Sequence, residues 1–277
     1  MTINCKGKLI DLKSPKIMGI LNLTPDSFYD GGKYKKKNQI LNQVEKMLNE
    51  GATFIDLGAY STRPGAVYVS EEEELGRMLP IIDLLLGKFP DILLSIDTFR
   101  SNVANVCIER GAALINDIAA GNLDDNMMQV IAKHKVPYIM MHMKGTPQTM
   151  QQETNYENLL KDILLYFSKK ISDARDLGIN DLIIDPGFGF AKDVEQNYEL
   201  LQKLDLFKAL ELPILVGLSR KSMIYKVLGG TGNEALNGTT ALNMYALSKG
   251  AAILRVHDVA EAMQCIKLAQ ELIPDTD

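Results

Sequence analysis

The chain has 277 residues, 46% hydrophobic and 23% charged, which is the balance of an ordinary globular protein. Its net charge of −5 argues against general binding to nucleic acids or anionic membranes. The cysteines Cys5, Cys107 and Cys265 are scattered without CxxC spacing, which argues against a disulfide framework or a cysteine zinc site. No apolar run approaches the roughly 18 residues that a membrane span needs, and no signal peptide is visible. We therefore expect a cytoplasmic protein.

Short, continuously apolar runs alternate with longer helical patterns along the chain. Such runs are typical of strands that are buried on both faces in a parallel sheet. The predicted strands are 17–23, 53–57, 92–96, 113–115, 138–141, 182–184, 214–218 and 252–256.

Amphipathic segments between these runs predict helices. The predicted helices are 38–50, 71–86, a segment capped by Ser101 and ending near Arg110, 156–177 and 259–272. A glycine recurs between a helix and the next strand, which predicts left-handed helix C-termini at the αβ turns. These glycines are Gly51, Gly111, Gly178 and Gly250.

Eight strands alternating with helices predict an α/β fold, a (β/α)8 TIM barrel, and a single domain over residues 1–277. An open, doubly wound sheet is the alternative, but no GxGxxG motif follows the first strand. The opening segment around Lys6-Gly7-Lys8 predicts a short N-terminal hairpin that plugs the bottom of the barrel.

Polar residues end nearly every predicted strand. They are Asn22, Asp56, Asp97, Asn116, His142, Asp185, the group 219–221, and Arg255 with His257. In a barrel these strand ends meet at one rim, where active sites of this fold lie. One such residue is usually a turn former or a helix cap, but a series on one rim indicates a site.

Two kinds of chemistry can be separated within this series. Asp97, Asn116, Asp185 and Lys221 suit the N–C–N edge of a planar heterocycle, either a pterin or a purine. The cations and neutral donors suit phosphate and Mg2+, and they are Asn22, Arg63, Arg220, Arg255 and His257. An ion pair of Arg255 with Asp56 or Asp258 is the structural alternative.

Two segments after the first two strands, 24–34 and 61–68, are rich in Gly, Pro, Ser and Asp. Long loops on the functional rim usually act as lids or substrate contacts. We expect these segments to order when substrate binds.

The order of these motifs resembles the dihydropteroate synthase family over essentially the whole chain. The matching stretches begin with Met-Gly-Ile-Leu-Asn-Leu-Thr-Pro-Asp-Ser-Phe at 18–28, Ser-Thr-Arg-Pro-Gly at 61–65 and Ser-Ile-Asp-Thr at 95–98. They continue with Ile-Asn-Asp-Ile at 115–118, Met-His-Met-Lys-Gly-Thr-Pro at 141–147, Asp-Pro-Gly-Phe-Gly-Phe at 185–190, Ser-Arg-Lys-Ser at 219–222 and Arg-Val-His-Asp at 255–258. Each is weak alone, but eight in order are specific.

The resemblance implies that para-aminobenzoate displaces pyrophosphate from 6-hydroxymethyl-7,8-dihydropterin pyrophosphate. It implies catalytic roles for Asp97, Asp185, Lys221 and Arg255, with Asn116 also holding the pterin. Asn22, with Mg2+ as cofactor, and Arg255 and His257 would hold the pyrophosphate. The aminobenzoate site and its loop would be formed by Phe28, Thr62, Arg63, Pro64, Phe190, Lys221 and Ser222. The expected partners are these small molecules and a second copy of the chain in a homodimer.

The sequence departs from the family pattern at two places. Gly58-Ala59-Tyr60 replaces the usual Gly-Gly-Glu, and Tyr29 replaces a small polar residue. Two other functions remain open: a methyltetrahydrofolate-binding methyltransferase domain and a non-catalytic pterin-binding module. The arginine and histidine at 255–257 argue against the first, since that function needs no pyrophosphate site.

Overall fold

The computed structural model describes residues 1–23, 33–60 and 68–272. Within these residues the strands are β1 Thr2–Cys5, β2 Lys8–Asp11, β3 Lys16–Asn22, β4 Phe54–Gly58, β5 Leu93–Asp97, β6 Leu114–Asp117, β7 Tyr138–Met141, β8 Leu182–Asp185, β9 Leu215–Val216 and β10 Ile253–Val256. The helices are α1 Lys33–Asn49, α2 Glu71–Lys88, α3 Ser101–Glu109, α4 Met127–His134, α5 Leu159–Asp176, α6 Val194–Gln202, α7 Ser222–Leu228, α8 Leu236–Ser248 and α9 Val259–Leu272.

Strands β3 to β10 form one parallel sheet in the order β8-β7-β6-β5-β4-β3-β10-β9. A single bridge between Ile184 and Ile214 joins β8 to β9 and brings the two edges together. Helices connect the successive strands, so the sheet is a (β/α)8 barrel and the predicted fold class is confirmed.

The N-terminal hairpin is also confirmed. β1 and β2 pair antiparallel around Lys6 and Gly7, which both have positive φ (54° and 79°). This conformation is typical of a tight hairpin turn, which favours glycine. Ile3 and Ile10 are buried in a cluster with Phe54 and the other residues near the amino ends of the barrel strands. The hairpin therefore covers the bottom of the barrel, as predicted.

The helix ends agree with the glycine pattern. Gly51, Gly111, Gly178 and Gly250 have φ between 79° and 109°. The prediction that Ser101 caps α3 was wrong. Ser101 is the first helical residue and Arg100 occupies the cap position without a side-chain bond, while Asp124 Oδ2 accepts from the Ser101 N–H at 2.7 Å.

No helix in the described part of the chain combines the length and apolarity that a membrane crossing requires.

Candidate active site

The carboxyl ends of β4, β5, β6, β8 and β10 place five polar side chains at one end of the barrel. They are Asp56, Asp97, Asn116, Asp185 and Arg255. Parallel register brings neighbouring ends together, with Gly58 beside Asp97 and Asp97 beside Asn116. The rim predicted from the strand ends is therefore present.

Arg255, on β10, binds two carboxylates, one on β4 and one on β5. Its Nε donates to Asp56 Oδ2 at 2.6 Å and its Nη2 donates to Asp97 Oδ2 at 2.8 Å. Burial opposes the positive charge, but Asp56 and Asp97 outweigh it and hold the pKa of Arg255 above its ordinary value. Among the described residues, none accepts a hydrogen bond from the third nitrogen, Nη1. The ion pair with Asp56 that the sequence allowed is thus observed, together with one to Asp97.

Asp56 lies at the centre of this arrangement, although the sequence suggested only an ion-pair role for it. It is fully buried, and its Oδ2 also accepts from Asn116 Nδ2 at 3.2 Å. Its Oδ1 has no hydrogen-bond partner among the described residues. A charged residue in the apolar run of β4 was the available signal, because a buried carboxylate requires partners.

Asp97 is a carboxylate with a shifted pKa. Burial raises the pKa of Asp97 to about 7, Arg255 opposes this, and Asp56, Glu74 and Asp117 add to the increase. Its charge therefore depends on pH in the neutral range and on the presence of Arg255.

Asp185 ends β8 and Lys221 follows β9, and the charge of each affects the pKa of the other. Asp185 is buried and its Oδ1 accepts from the Gly187 N–H at 2.8 Å. Burial raises the pKa of Asp185, against the effect of Lys221 and of the Gly187 N–H. Burial also lowers the pKa of Lys221 to about 8, with Asp185 opposing the change.

The predicted aromatic neighbour of Lys221 is close to it. Lys221 Nζ donates to the carbonyl oxygen of Phe188 and lies 4.9 Å from the centre of the Phe190 ring. An ammonium over a ring face is attracted by its π-electrons. Ser222 directly follows as the first residue of α7.

The end of β10 carries a second polar pair. Ser219 Oγ lies 3.0 Å from His257 Nδ1 and accepts from the His257 backbone N–H at 3.2 Å. Arg220, a predicted phosphate ligand, makes two bonds to Asp258, from Nε at 2.9 Å and from Nη2 at 2.6 Å. Asp258, the other partner considered for Arg255, is thus engaged by Arg220.

Asn22 ends β3 and is partly buried next to Gly58. A Cβ placed on Gly58 would lie 3.8 Å from Asn22 Oδ1 and 3.5 Å from Asp97 Oδ2. The two oxygens thus flank the same glycine. Among the described residues no group of three or more His, Cys, Asp or Glu side chains could hold a metal. A cation at Asn22 would have to complete its shell from substrate oxygens and water.

Four predicted site residues, Phe28, Thr62, Arg63 and Pro64, lie outside the described residues. The substituted Tyr60 is described and is 7% exposed. Its ring packs edge-on against Phe99 at 5.3 Å, and Arg100 lies 5.3 Å from its centre. Gln148 Nε2 donates to its hydroxyl at 2.9 Å. The residue that replaces the usual glutamate is therefore a packed side chain.

The family model described as pterin binding enzyme matches residues 18–257. The dihydropteroate synthase of Haemophilus influenzae is 44% identical over 272 residues, with 98% of both chains covered. The chain belongs to the dihydropteroate synthase family. It is accordingly an enzyme, a transferase of folate biosynthesis.

Two solved dihydropteroate synthases show the same fold. The Yersinia pestis enzyme with a sulfonamide drug has a TM-score of 0.91 and 41% identity, with 98% of this chain and 99% of that chain covered. The Clostridium difficile enzyme in the presence of pteroic acid has a TM-score of 0.88 and 39% identity, with 94% and 97% covered. The similarity extends over nearly the whole chain.

Proposed function

We propose that this transferase joins 6-hydroxymethyl-7,8-dihydropterin pyrophosphate to para-aminobenzoate and that its described rim residues carry the reaction. The bond between the methylene carbon and the pyrophosphate oxygen breaks. The aniline nitrogen forms a bond to that carbon and loses a proton. The observation that supports this best is the convergence of Asp97, Asp185, Lys221 and Arg255 at one end of a barrel of this family.

The pterin is assigned to the side formed by Asp97, Asn116, Asp185 and Lys221. Each carboxylate oxygen has two lone pairs, so Asp185 can accept from substrate N–H groups while it holds the Gly187 N–H. Departure of pyrophosphate leaves positive charge on the pterin methylene. Carboxylates held beside that charge in a buried site stabilise it without reorganisation.

The leaving group is assigned to Arg255, His257 and Asn22. Arg255 has a nitrogen that donates to no described residue, and Ser219 holds His257 on the same rim. The single amide oxygen of Asn22 fits Mg2+, which usually takes few protein ligands when phosphates and water complete its shell. When bound, Mg2+ would supply positive charge to the departing pyrophosphate.

The aminobenzoate is assigned to Phe190, Lys221 and Ser222. The ring of Phe190 stands beside the Lys221 ammonium, so a flat aromatic acid would find both a ring face and a cation there. The family resemblance adds Phe28, Thr62, Arg63 and Pro64 to this side of the site. Because the aniline nitrogen is itself the nucleophile, no serine or cysteine nucleophile is needed.

Pyrophosphate release tests the assignment. Release should require the pterin substrate, para-aminobenzoate and Mg2+ together, and EDTA should stop it.

Asp185→Asn should weaken binding of a pterin analogue in calorimetric titration by about 2–4 kcal/mol, since a donor would face the pterin donors. Asp91→Asn, at an exposed position before β5, is the matched control and should retain activity. Unchanged pterin affinity in Asp185→Asn would remove that residue from the pocket.

The same assay separates the two alternative functions. A non-catalytic pterin-binding module would bind the analogue but release no pyrophosphate. A methyltetrahydrofolate-binding domain would bind the folate and would be indifferent to pyrophosphate. The engagement of Arg255 at the rim beside His257 favours the transferase.

We also assign the protein to the cytoplasm as a homodimer. The three cysteines are buried free thiols, which suits a reducing compartment.

The proposed dimer surface contains five exposed apolar side chains on the consecutive helices α7, α8 and α9, namely Val227, Leu228, Tyr245, Leu268 and Leu272. Leu268→Glu should shift the mass in light scattering toward the monomer, whereas Leu165→Glu, equally exposed on α5, should not. A monomeric wild-type protein would contradict the dimer.

A further inference from the structure

Lys192 is a buried lysine that none of the steps above uses. It is 3% exposed, and its Nζ donates to the carbonyl oxygens of Gly187 and Phe190, each at 3.0 Å, while His142 Nδ1 lies 3.1 Å away. Three acceptors match the three N–H donors of an ammonium. No carboxylate of the described residues forms an ion pair with it, so backbone carbonyls and a histidine ring take that place.

His142 is held as a neutral acceptor. Burial lowers the pKa of His142 well below its ordinary value, and the charge of Lys192 acts in the same direction. Its ring packs edge-on against Tyr166, with 4.9 Å between the ring centres. With Nδ1 accepting from Lys192, the ring proton lies on Nε2. Orientation and tautomer are thus both consistent with one role, that of an acceptor for Lys192.

The backbone of residues 187–191 is folded around this ammonium. Gly187, Gly189 and Ala191 alternate in the left-handed region with φ of 75°, 81° and 49°. This alternation directs the carbonyls of Gly187 and Phe190 to Lys192, while the carbonyl of Phe188 accepts from Lys221. The segment therefore lies between two lysines, one buried behind it and one in the pocket.

We propose that Lys192 is a positioning residue for pterin binding, which acts by fixing the segment between Asp185 and Phe190 through the carbonyls of Gly187 and Phe190. Asp185 begins the segment, Phe188 holds Lys221 and Phe190 lies beside Lys221. Loss of the ammonium would leave the Phe190 carbonyl and His142 Nδ1 without their donor. The Gly187 carbonyl would keep only its bond from the Phe190 N–H at 3.1 Å, and the segment would be freer to move. The inference rests on the pterin site proposed above.

The charge of Lys192 depends on groups from three strand ends. Burial lowers the pKa of Lys192 to about 7. Asp185 at the end of β8 opposes this, and Lys221 after β9 and Lys144 after β7 add to it. The histidine that faces it is neutral. As pH rises through about 7, the ammonium becomes an amine with two donors for three acceptors. The hydrogen bonds by which Lys192 fixes the segment should therefore weaken above about pH 7.

Lys192→Met tests the proposal, with Lys203→Met as control because Lys203 is an exposed lysine that pairs with Glu199 of α6. Circular dichroism establishes that both variants fold. At acid pH, Lys192→Met should bind a pterin analogue at least about tenfold more weakly than the wild type, while Mg2+-pyrophosphate binding is retained. The difference should shrink at alkaline pH, where the wild-type lysine is neutral.

Two outcomes would overturn the role of Lys192. One is pterin affinity equal to that of the wild type. The other is a loss that does not change with pH or that extends equally to pyrophosphate, as a general structural defect would produce. Failure of the wild-type protein to bind the analogue would instead contradict the proposed function.

Nitrogen-15 NMR of the wild-type histidine rings keeps the proposal testable if Lys192→Met does not fold. The His142 Nδ1 resonance should report an unprotonated acceptor and shift when Lys192 loses its proton. If the ammonium favours pterin binding, saturating pterin analogue must raise the pH of that shift by reciprocity. An unchanged midpoint would show that Lys192 and pterin binding are not coupled.

Discussion

Arg255 makes bonds to two carboxylates that come from different strands, and this affects how its mutation should be interpreted. Asp56 is fully buried and Asp97 is mostly buried, with 16% of its side chain exposed. Removing one partner of a buried ion pair is costly because the remaining charge is left uncompensated. Arg255→Ala would therefore perturb the pterin side through Asp97 as well as the pyrophosphate side. Loss of pterin affinity in that variant would not exclude a contact with the leaving group.

The pKa values of the site predict a bell-shaped pH dependence of kcat/KM. Below about pH 7 Asp97 is protonated and no longer stabilises positive charge on the pterin, so activity should rise through about 7. Lys221 loses its charge above about 8 and Lys192 above about 7, so activity should fall on the alkaline side. Initial rates from about pH 5.5 to 9.5 at low pterin concentration measure this profile.

A control distinguishes the two limbs of that profile. Asp97→Asn cannot titrate, so it should lose most activity and also lose the acid limb. Lys192→Met should retain the acid limb and move the alkaline limb toward the higher pKa of Lys221. A wild-type profile that is flat between about pH 6 and 9 would show that neither group titrates in the free enzyme as expected.

The sequence predicts which residues lie at the strand ends, but of the bonds between them it offers only an Arg255 ion pair, with Asp56 or Asp258 as the partner. Their positions could be predicted because Asp97, Asp185 and Lys221 follow apolar runs and Arg255 lies near the end of one, in a fold with one functional rim. The second bond of Arg255, to Asp97, joins residues 158 positions apart, and no local pattern encodes it. Lys192 was missed because a lysine after a glycine-rich turn usually lies in solvent; its burial depends on the fold around it.

The turn after β8 is in close contact with the loop that follows β7. Gly187 has φ of 75°, and a Cβ placed on it would lie 2.1 Å from the carbonyl oxygen of His142. No side chain fits there without movement of one backbone. Because Asp185 Oδ1 bonds the N–H of this glycine, such movement would also disturb the predicted pterin ligand.

Gly187→Ala should therefore destabilise the protein by about 2–4 kcal/mol and weaken pterin binding. Gly178→Ala is a matched control, since Gly178 has φ of 79° but nothing within 4 Å of the added Cβ. It should cost only about 1 kcal/mol, from backbone strain alone. Urea unfolding measures both free energies. Equal losses in the two variants would mean that the loop after β7 yields easily to the new methyl group.

The ends of the barrel strands could be predicted to within about two residues, but one strand is much shorter than its apolar run. The run 214–218 predicts a strand of ordinary length, but β9 contains only Leu215 and Val216. Apolarity reports burial, and these residues are buried. Apolarity does not predict which backbone N–H and C=O groups form hydrogen bonds to a neighbouring strand, because those bonds depend on how the sheet closes.

The barrel as a whole is closed by its shortest strand pairing, the one between β8 and β9. β3 and β4, like β4 and β5, are paired over five residues each, whereas β9 pairs with β10 over two and with β8 through one bridge. Local opening is favoured where few backbone hydrogen bonds must break. We call this junction between β8 and β9 the seam. The predicted pterin ligands lie on its two sides, Asp185 at the end of β8 and Lys221 after β9.

Amide hydrogen exchange should therefore be faster for Leu215, Val216 and their β8 neighbours than for β4 and β5. A pterin analogue should slow exchange at the seam, because a ligand that bonds both Asp185 and Lys221 joins its two sides. Mass spectrometry of peptides from 182–185 and 214–218 measures the effect. Seam amides as slow as those of β4 in the free protein would contradict this account of closure.

Any ligand also stabilises the folded state as a whole, so the comparison between segments decides the interpretation. Global stabilisation slows only those amides that exchange through complete unfolding, and it acts on β4 and β5 as much as on the seam. Amides that exchange through local opening respond only if the ligand holds that region closed. Slowing concentrated at 182–185 and 214–218, and absent in Lys221→Met, would show that the pterin completes the barrel. Uniform slowing would show that the free barrel is already closed.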